Sequence, residues 1–247
     1  MMASLMWPGN IGHDHSLNDF LILYQQIKTE LTMTNIYKLT VVALGLLVCA
    51  PYLHAAGDAE AGKQNSSLCI ACHSEDGNSV TPQFPRLAGL GEAYLLKQMK
   101  DIKEGERVIA EMTGLLDSYS EQDLEDISAY YASQNMQLSG SKELTVKLNS
   151  GTEVDALVLG EQLYRYGNPE SGVPACSGCH SPTGKGNAPA GYPRLSGQFS
   201  DYVEKQLKAF RAGERLNDGE SQVMRQVAQR LSDAEIAAVA NFTAGLH

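Results

Sequence analysis

The chain of 247 residues carries 19 Lys and Arg side chains against 29 Asp and Glu side chains, a formal net charge of −10. So acidic a polypeptide is a poor partner for nucleic acid, because phosphate backbones attract basic surfaces. The length is enough for one large domain or for two small ones.

An apolar run stands near the start of the chain. Residues 39–50 are mostly apolar, and small residues follow at Ala55 and Ala56, which predicts a secretory signal peptide over 33–55 with cleavage after Ala55 or Ala56. The run is shorter than the roughly 20 residues that a transmembrane helix needs, so a retained anchor is the second choice. Residues 1–32 are interpreted as an upstream extension with no folded role, ahead of a true start at Met33; an accessory segment is the second choice.

The first motif that carries chemistry is CIACH at residues 69–73, and CSGCH at residues 176–180 repeats it. Cys-x-x-Cys-His is the attachment signature of a c-type haem. Two thiols add to the two vinyl groups of one porphyrin, and the adjacent histidine binds the iron as proximal ligand. The predicted residues are Cys69, Cys72 and His73 for one haem and Cys176, Cys179 and His180 for the other.

Zinc sites and disulfides are the alternative uses of these cysteines. Zinc does not require a histidine directly after the second cysteine in both copies, and a disulfide requires no histidine at all. Four of the five cysteines lie in the two motifs, and the fifth, Cys49, lies in the apolar run of the predicted leader. The sequence therefore favours two covalently bound haem c groups, which are attached outside the cytoplasm and so agree with export to the bacterial periplasm.

The two halves of the chain align well beyond the haem motifs. Residues 84–89 match residues 192–197, and further identities follow at a spacing of 108 that becomes 112 after four extra residues around 216–219. So long a period is a whole domain, because solenoid repeats are roughly 20 to 50 residues long. The predicted boundaries are a first domain at 57–140, a linker at 141–152 and a second domain at 153–247.

Helices account for every predicted element. Apolar residues at helical spacing predict a helix over about 92–103, with an equivalent over about 201–212. Capping-box patterns open the final helices, at Ser120 and Asp123 in one half and at Ser232 and Glu235 in the other. No strand pattern competes with them. The sequence predicts an all-α fold of two duplicated domains, each wrapped around a haem that supplies apolar bulk to a small core.

Methionine is the leading candidate for the second axial ligand of each iron. Only three histidines follow the predicted leader, too few for bis-histidine ligation of two haems. Met112 and Met224 correspond under the repeat. Met99 lies on an apolar helix face, which predicts a packing role in the core, and Met136 follows the last helix of its half. A thioether favours ferrous iron and raises the reduction potential. Filled axial positions also exclude oxygen and peroxide, which favours electron transfer over catalysis.

Two prolines and two arginines near the haem motifs occupy equivalent positions in the two halves. Pro85 and Pro193 either form rigid turns or present a carbonyl to the proximal imidazole, which would orient the ring. Arg86 and Arg194 either pair with haem propionates, whose carboxylates suit a guanidinium, or are solvated surface charges.

These motifs together resemble the cytochrome c4 family, diheme proteins built from two class I cytochrome c domains in tandem. The resemblance covers almost the whole mature chain, including residues 84–89, 111–116 and 245–247, and departs from the family at 1–32. It implies a periplasmic electron carrier, soluble or loosely membrane-associated, between a quinol-oxidising complex and a terminal oxidase. The family's iron ligands fall on His73 with Met112 and on His180 with Met224.

Two other functions fit parts of the pattern. A flavocytochrome-type dehydrogenase complex has a cytochrome subunit with similar domains, and co-purification of a flavoprotein would favour it. A diheme peroxidase predicts an iron with an open site and a longer chain. The formal charge is −7 over residues 57–150 and −2 over 151–247; this asymmetry reflects simple solubility or a field that orients a carrier as it meets a redox partner.

Overall fold

The computed structural model describes residues 18, 20–33 and 57–247, which fall into two units. In the first unit, helix α1 over 20–33 exposes every residue. The predicted signal peptide over 33–55 lies outside the described residues apart from Met33, as does part of the extension 1–32. Within the described stretches, no helix combines the length and the apolar character that crossing a bilayer requires.

The first half of the second unit is helical. Its elements are α2 (Ala59–Asn65), α3 (Ser67–His73), α4 (Glu92–Lys103), a 3-10 turn (Ala110–Met112) and α5 (Glu121–Ser133). Helix α2 packs against α5 at very short range, because Gly62 has no side chain: a Cβ there would lie 1.9 Å from the carbonyl oxygen of Asp126. The first and last helices of this half are therefore in direct contact.

The second half repeats this arrangement. Its elements are β1 (Thr145–Lys147), β2 (Glu153–Asp155), α6 (Ala156–Tyr166), α7 (Ser177–His180), a 3-10 turn (Ala188–Ala190), α8 (Ser200–Ala212), α9 (Val223–Ala228) and α10 (Asp233–Gly245). Gly160 brings α6 against α10 in the same way, since a Cβ there would lie 2.3 Å from the carbonyl oxygen of Ala238. The structure confirms a mostly helical, duplicated fold.

Both predicted capping boxes are formed. Ser120 Oγ accepts a hydrogen bond from the N–H of Asp123, whose carboxylate accepts one from the N–H of Ser120, and α5 begins there. Ser232 and Glu235 make the same pair of hydrogen bonds at the start of α10. The predicted helix over 92–103 is confirmed as α4, and its equivalent is α8.

A short hairpin is a regular element that the sequence pattern did not indicate, as are helix α9 and the two 3-10 turns. Strands β1 and β2 pair antiparallel, with Val146 opposite Val154. Val146 is buried and packs with Ala156 and Ala238 of the second half. Strands of three residues are too short for an alternating pattern to be recognised. The stretch predicted as a linker at 141–152 thus includes a strand that packs on the second half.

Each half has its own hydrophobic core. The first core contains Leu95, Ile127 and Tyr131, and the predicted packing role of Met99 is confirmed because its side chain lies against this cluster. Met136, which follows the last helix of its half, is buried in the same cluster. The second core is built from α6, α8 and α10 around Tyr164. Two separate cores agree with a duplicated domain.

Candidate haem centres

The first centre is a cavity of about 480 Å³ that four predicted residues share. Cys69, Cys72 and His73 lie on helix α3. Cys72 is three residues and His73 four residues after Cys69, so the three side chains project from one face of the helix. Met112 reaches the same cavity from the 3-10 turn Ala110–Met112. Most of the remaining wall in this half is apolar: Leu68, Phe84, Leu87, Leu90, Leu95, Met99, Ile109, Leu116 and Ile127.

A hydrogen bond to a backbone carbonyl fixes the orientation of the His73 ring. Its Nδ1 lies 2.8 Å from the carbonyl oxygen of Pro85 and, because that carbonyl only accepts, Nδ1 must carry the proton. The Nε2 lone pair is then left available for a metal. Burial lowers the pKa of His73, and the Pro85 hydrogen bond opposes this only in part. The prediction that the proline carbonyl engages the imidazole is confirmed.

The second centre repeats this arrangement in a shorter helix. His180 ends α7 and is 7 % exposed. Its Nδ1 lies 2.9 Å from the carbonyl oxygen of Pro193, and burial lowers its pKa. Cys176 and Met224 both pack against the core cluster of this half, whereas Cys179 is exposed. The structure thus places Met224 and Cys176 against one apolar cluster, and His180 is buried and contacts the proline carbonyl equivalent to the one that His73 contacts.

The chemistry of the thiols bears on the zinc and disulfide alternatives. All four motif cysteines are free. Burial raises the pKa of Cys69, and it raises the pKa of Cys176 to about 11. Zinc binds the thiolate form, which such burial disfavours. Over the described residues no group of three or more His, Cys, Asp or Glu side chains is placed to hold a metal ion.

A haem fits the residues that are present. The porphyrin would lie in the apolar cavity, its vinyl groups would meet the two thiols, and its iron would meet the free nitrogen of His73 and the sulfur of Met112. The carboxylates of a haem also need cationic partners. Arg86, between the cavity residues Pro85 and Leu87, is a candidate, because its Nε is buried and has no hydrogen-bond partner among the described residues.

Arg86 is not a surface charge, so that alternative is wrong for this residue. Its side chain is buried, its Nη1 donates to the carbonyl oxygen of Gln137, and its guanidinium carbon lies 4.6 Å from the centre of the Phe199 ring. Desolvation lowers its pKa. Arg194 is half-buried, and its Nε donates to the carbonyl oxygen of Ser196 at 3.0 Å. Pairing of either arginine with a propionate stays a prediction.

A polar network joins the two halves beside the first centre, and motif reasoning missed it. Arg107 donates from Nη1 to Gln98 of its own half at 2.8 Å, and from Nη2 to Tyr202 and Gln206 of the second half, both at 3.0 Å. The cavity wall includes these residues. Side chains of the second half therefore close one side of the first centre.

Arg215 makes the reciprocal contacts. It donates to Gln206 of its own half at 2.7 Å, and to Gln98 and Tyr94 of the first half at 2.9 and 3.3 Å. Such an exchange of equivalent contacts is the hallmark of a twofold-like interface. Although burial opposes it, the charges of Arg215 and Arg107 lower the pKa of Tyr94. The available signal was the recurrence of these residues 108 positions apart in the repeat.

Comparison with known proteins agrees with this geometry. The cytochrome c family model matches residues 59–135 and again residues 158–246. Cytochrome c4 of Azotobacter vinelandii is 50 % identical over 78 % of this chain and 91 % of its own length. The crystal structure of reduced recombinant cytochrome c4 from Pseudomonas stutzeri superposes with a TM-score of 0.71 at 47 % identity, over 78 % of this chain and all of that one.

A more distant relative carries a different name. The protein called thiosulfate dehydrogenase electron acceptor in Thiomonas intermedia is 36 % identical to this chain. The matching regions cover 83 % of this chain and 89 % of the relative.

Proposed function

The chain belongs to the cytochrome c4 family and carries two covalently bound haem c groups, and we propose that it conveys electrons through the periplasm from a quinol-oxidising complex to a terminal oxidase. The observation that supports this most is the meeting of Cys69, Cys72, His73 and Met112 in one apolar cavity. Each bound haem supplies an iron that takes up and releases one electron. The protein is then an electron carrier without substrate chemistry of its own.

The proposed residues have distinct tasks. The thiols of each motif hold the porphyrin covalently, and a histidine and a methionine bind its iron from opposite sides. The proposed axial pairs are His73 with Met112 and His180 with Met224. With both axial positions taken by protein, no coordination site is left for a substrate, which supports electron transfer over peroxidase chemistry.

The surrounding residues orient the two proximal histidines and favour their neutral form. The carbonyls of Pro85 and Pro193 hold the imidazoles in the tautomer that ligates metal and increase their basicity. Burial lowers the pKa of both histidines and so favours the neutral form that metal ligation needs. The apolar part of the cavity wall contributes few polar groups that would have to rearrange when the charge of the iron changes. These features suit rapid one-electron exchange.

The function can be tested with the purified protein and membranes of the parent organism. Addition of a quinol to membranes should reduce both haems, and a membrane terminal oxidase should then reoxidise them at the expense of oxygen. A specific inhibitor of the quinol-oxidising complex should block only the first step. Failure of membranes to reduce or to oxidise the protein would contradict the proposed role.

A second donor is favoured by the relative named as an electron acceptor of thiosulfate dehydrogenase. In this alternative a periplasmic dehydrogenase reduces the protein directly. The same alternative includes the case in which the protein is the cytochrome subunit of a flavocytochrome-type dehydrogenase complex. Stopped-flow mixing with thiosulfate dehydrogenase and thiosulfate would show haem reduction faster than with either component alone. Co-purification of a flavoprotein would instead indicate the flavocytochrome-type complex.

A further inference from the structure

The second half contains a four-residue insertion, residues 216–219, that the first half lacks. It precedes helix α9, which begins at Val223 and carries Met224 as its second residue. The two central residues of the insertion face opposite ways. Asp218 contacts α9, and Asn217 contacts helix α4 of the first half.

Asp218 caps helix α9 from outside the helix. Its carboxylate accepts hydrogen bonds from the backbone N–H of Arg225 at 2.9 Å and from the Nε of Arg225 at 2.7 Å. Arg225 is the third residue of α9, and the side chain at the N-cap position of a helix normally accepts a hydrogen bond from the backbone N–H of that residue. Gln222, at the N-cap position, makes no such hydrogen bond. The Asp218 side chain is only 4 % exposed, so this ion pair is shielded from water.

Arg225 of α9 also forms hydrogen bonds with both ends of the insertion. Its Nη2 donates to the carbonyl oxygens of Leu216 and Gly219, at 3.2 and 3.5 Å. The insertion and the first turn of α9 are therefore one hydrogen-bonded unit. Met224 lies within this unit, directly before the residue that Asp218 caps.

Asn217 connects this unit to the other half. Its Nδ2 donates to Gln98 at 2.9 Å and to Asp101 at 2.5 Å, both on α4. Its Oδ1 accepts from the Nε of Arg215 at 2.9 Å. Asn217 thereby joins the network between the halves, one residue before Asp218. A path of direct hydrogen bonds runs from α4 of the first half to the turn that holds Met224.

We propose that Asp218 is a positioning residue for Met224, and that Asn217 makes this positioning depend on the docking of the two halves. The inference rests on the proposed role of Met224 as an axial ligand. Met112 has a more local support: its N–H donates to the carbonyl oxygen of Ile109 at 3.0 Å, and Thr113 Oγ1 donates to the same oxygen. Ligation by Met224 is thus sensitive to the interface through the insertion, and the segment of Met112 has no equivalent insertion.

The test uses the full-length holoprotein with Met112→Ala as background, so that the sulfur-to-iron absorption band of the ferric protein reports on the second haem alone. Imidazole is titrated against this band as a competitor for the sixth position. Asp218→Ala should strengthen imidazole binding about tenfold, the effect expected for the loss of a helix cap. Glu220→Ala, which removes an exposed carboxylate of the same segment, should leave the titration unchanged.

Two further variants keep the test informative if Asp218→Ala fails to accumulate. Asp218→Asn retains an acceptor oxygen for the N–H of Arg225 but loses the ion pair, and it should give a smaller increase in imidazole affinity. Asn217→Ala should increase it severalfold by freeing the insertion from α4. Unchanged imidazole affinity in both would overturn the inference. Absence of any sulfur-to-iron band in the Met112→Ala background itself would instead contradict the ligand assignment of Met224.

Discussion

The segments that carry Met112 and Met224 occupy equivalent places in the repeat but have different structures. Met112 ends a 3-10 turn, and Gly114 follows with a φ of +77°, which stops helical continuation. Met224 lies in α9, and the residue equivalent to Gly114 is Gln226, inside that helix. A duplicated domain can therefore keep a ligand position while the supporting backbone diverges.

The two segments also differ in charge. Residues 111–118 contain Glu111 and Asp117 and no basic residue, whereas residues 223–230 contain Arg225 and Arg230 and no acidic one. Both acidic side chains are in exposed residues. The arginines are engaged, Arg225 by Asp218 and Arg230 by the carbonyl oxygen of Gly172 at 2.7 Å. Residues 111–118 thus present two exposed carboxylates beside Met112, and the equivalent residues 223–230 present none beside Met224.

The largest expected effect comes from removing each methionine in turn. Met112→Ala and Met224→Ala should each abolish one of the two sulfur-to-iron bands and lower the potential of that haem, because a soft neutral ligand to ferrous iron is lost. Optical redox titration of the holoprotein gives both quantities. Retention of both bands in either variant would remove that residue from the ligand set.

The interface arginines provide the next comparison. Arg215→Ala should destabilise the protein by about 3 kcal/mol and Arg107→Ala by about 2 kcal/mol, since each loses several charged hydrogen bonds in a part-buried network. Arg215 has the additional contact with Asn217 and lies over the Phe210 ring at 4.5 Å. Denaturant unfolding measures both, with the exposed Lys185→Ala as control. Equal losses would show that the insertion adds nothing to the interface.

The two capping boxes predict different acid sensitivity. Although burial opposes it, hydrogen bonds from Ser232 and Asn168 hold the pKa of Glu235 below its usual value. A lowered pKa in the folded state means that the unfolded chain binds more protons, so this contribution is complete above about pH 4.5 and is lost as the pH falls through the folded value. Glu235→Gln should flatten that part of the stability profile.

The first half gives the matched comparison for this carboxylate. Hydrogen bonds from Ser120 lower the pKa of Asp123, but its carboxylate is more exposed than that of Glu235. Asp123→Asn should therefore change the acid dependence of unfolding less than Glu235→Gln does. A larger effect of Asp123→Asn would mean that burial does not strengthen the cap of the second half.

The smallest expected effect concerns surface charge. Replacing Glu111 and Asp117 by Gln and Asn should slow electron transfer to a cationic oxidant such as tris(1,10-phenanthroline)cobalt(III) severalfold at low salt and speed transfer to ferricyanide. Stopped-flow rates at low and high ionic strength separate this field effect from a change in potential. The distant pair Glu153 and Glu170, neutralised in the same way, is the control. Identical rates for both double variants would contradict the prediction that the carboxylates beside Met112 affect electron transfer more than distant carboxylates do.

Elements defined by neighbours in sequence were predicted well. Helix α4 and both capping boxes are formed where the pattern indicates, because helical periodicity and caps depend on residues within one or two turns. The β1–β2 hairpin was not indicated, since its three-residue strands depend on Val146 packing against Ala238, far along the chain. Arg86 illustrates the same limit: its burial arises from Phe199 and Gln137, which no local pattern around Arg86 reveals.

The sequence by itself determined the two haem motifs, the duplication and the pair of methionines that correspond under it, because each is a matter of residue type and spacing. Only the tertiary structure decided that Met112 shares a cavity with its motif, and that Arg107 and Arg215 exchange partners across the halves. It also decided that the insertion reaches both α4 and α9. Such contacts depend on how separate helices pack, which buried surface across the whole unit sets and local spacing does not.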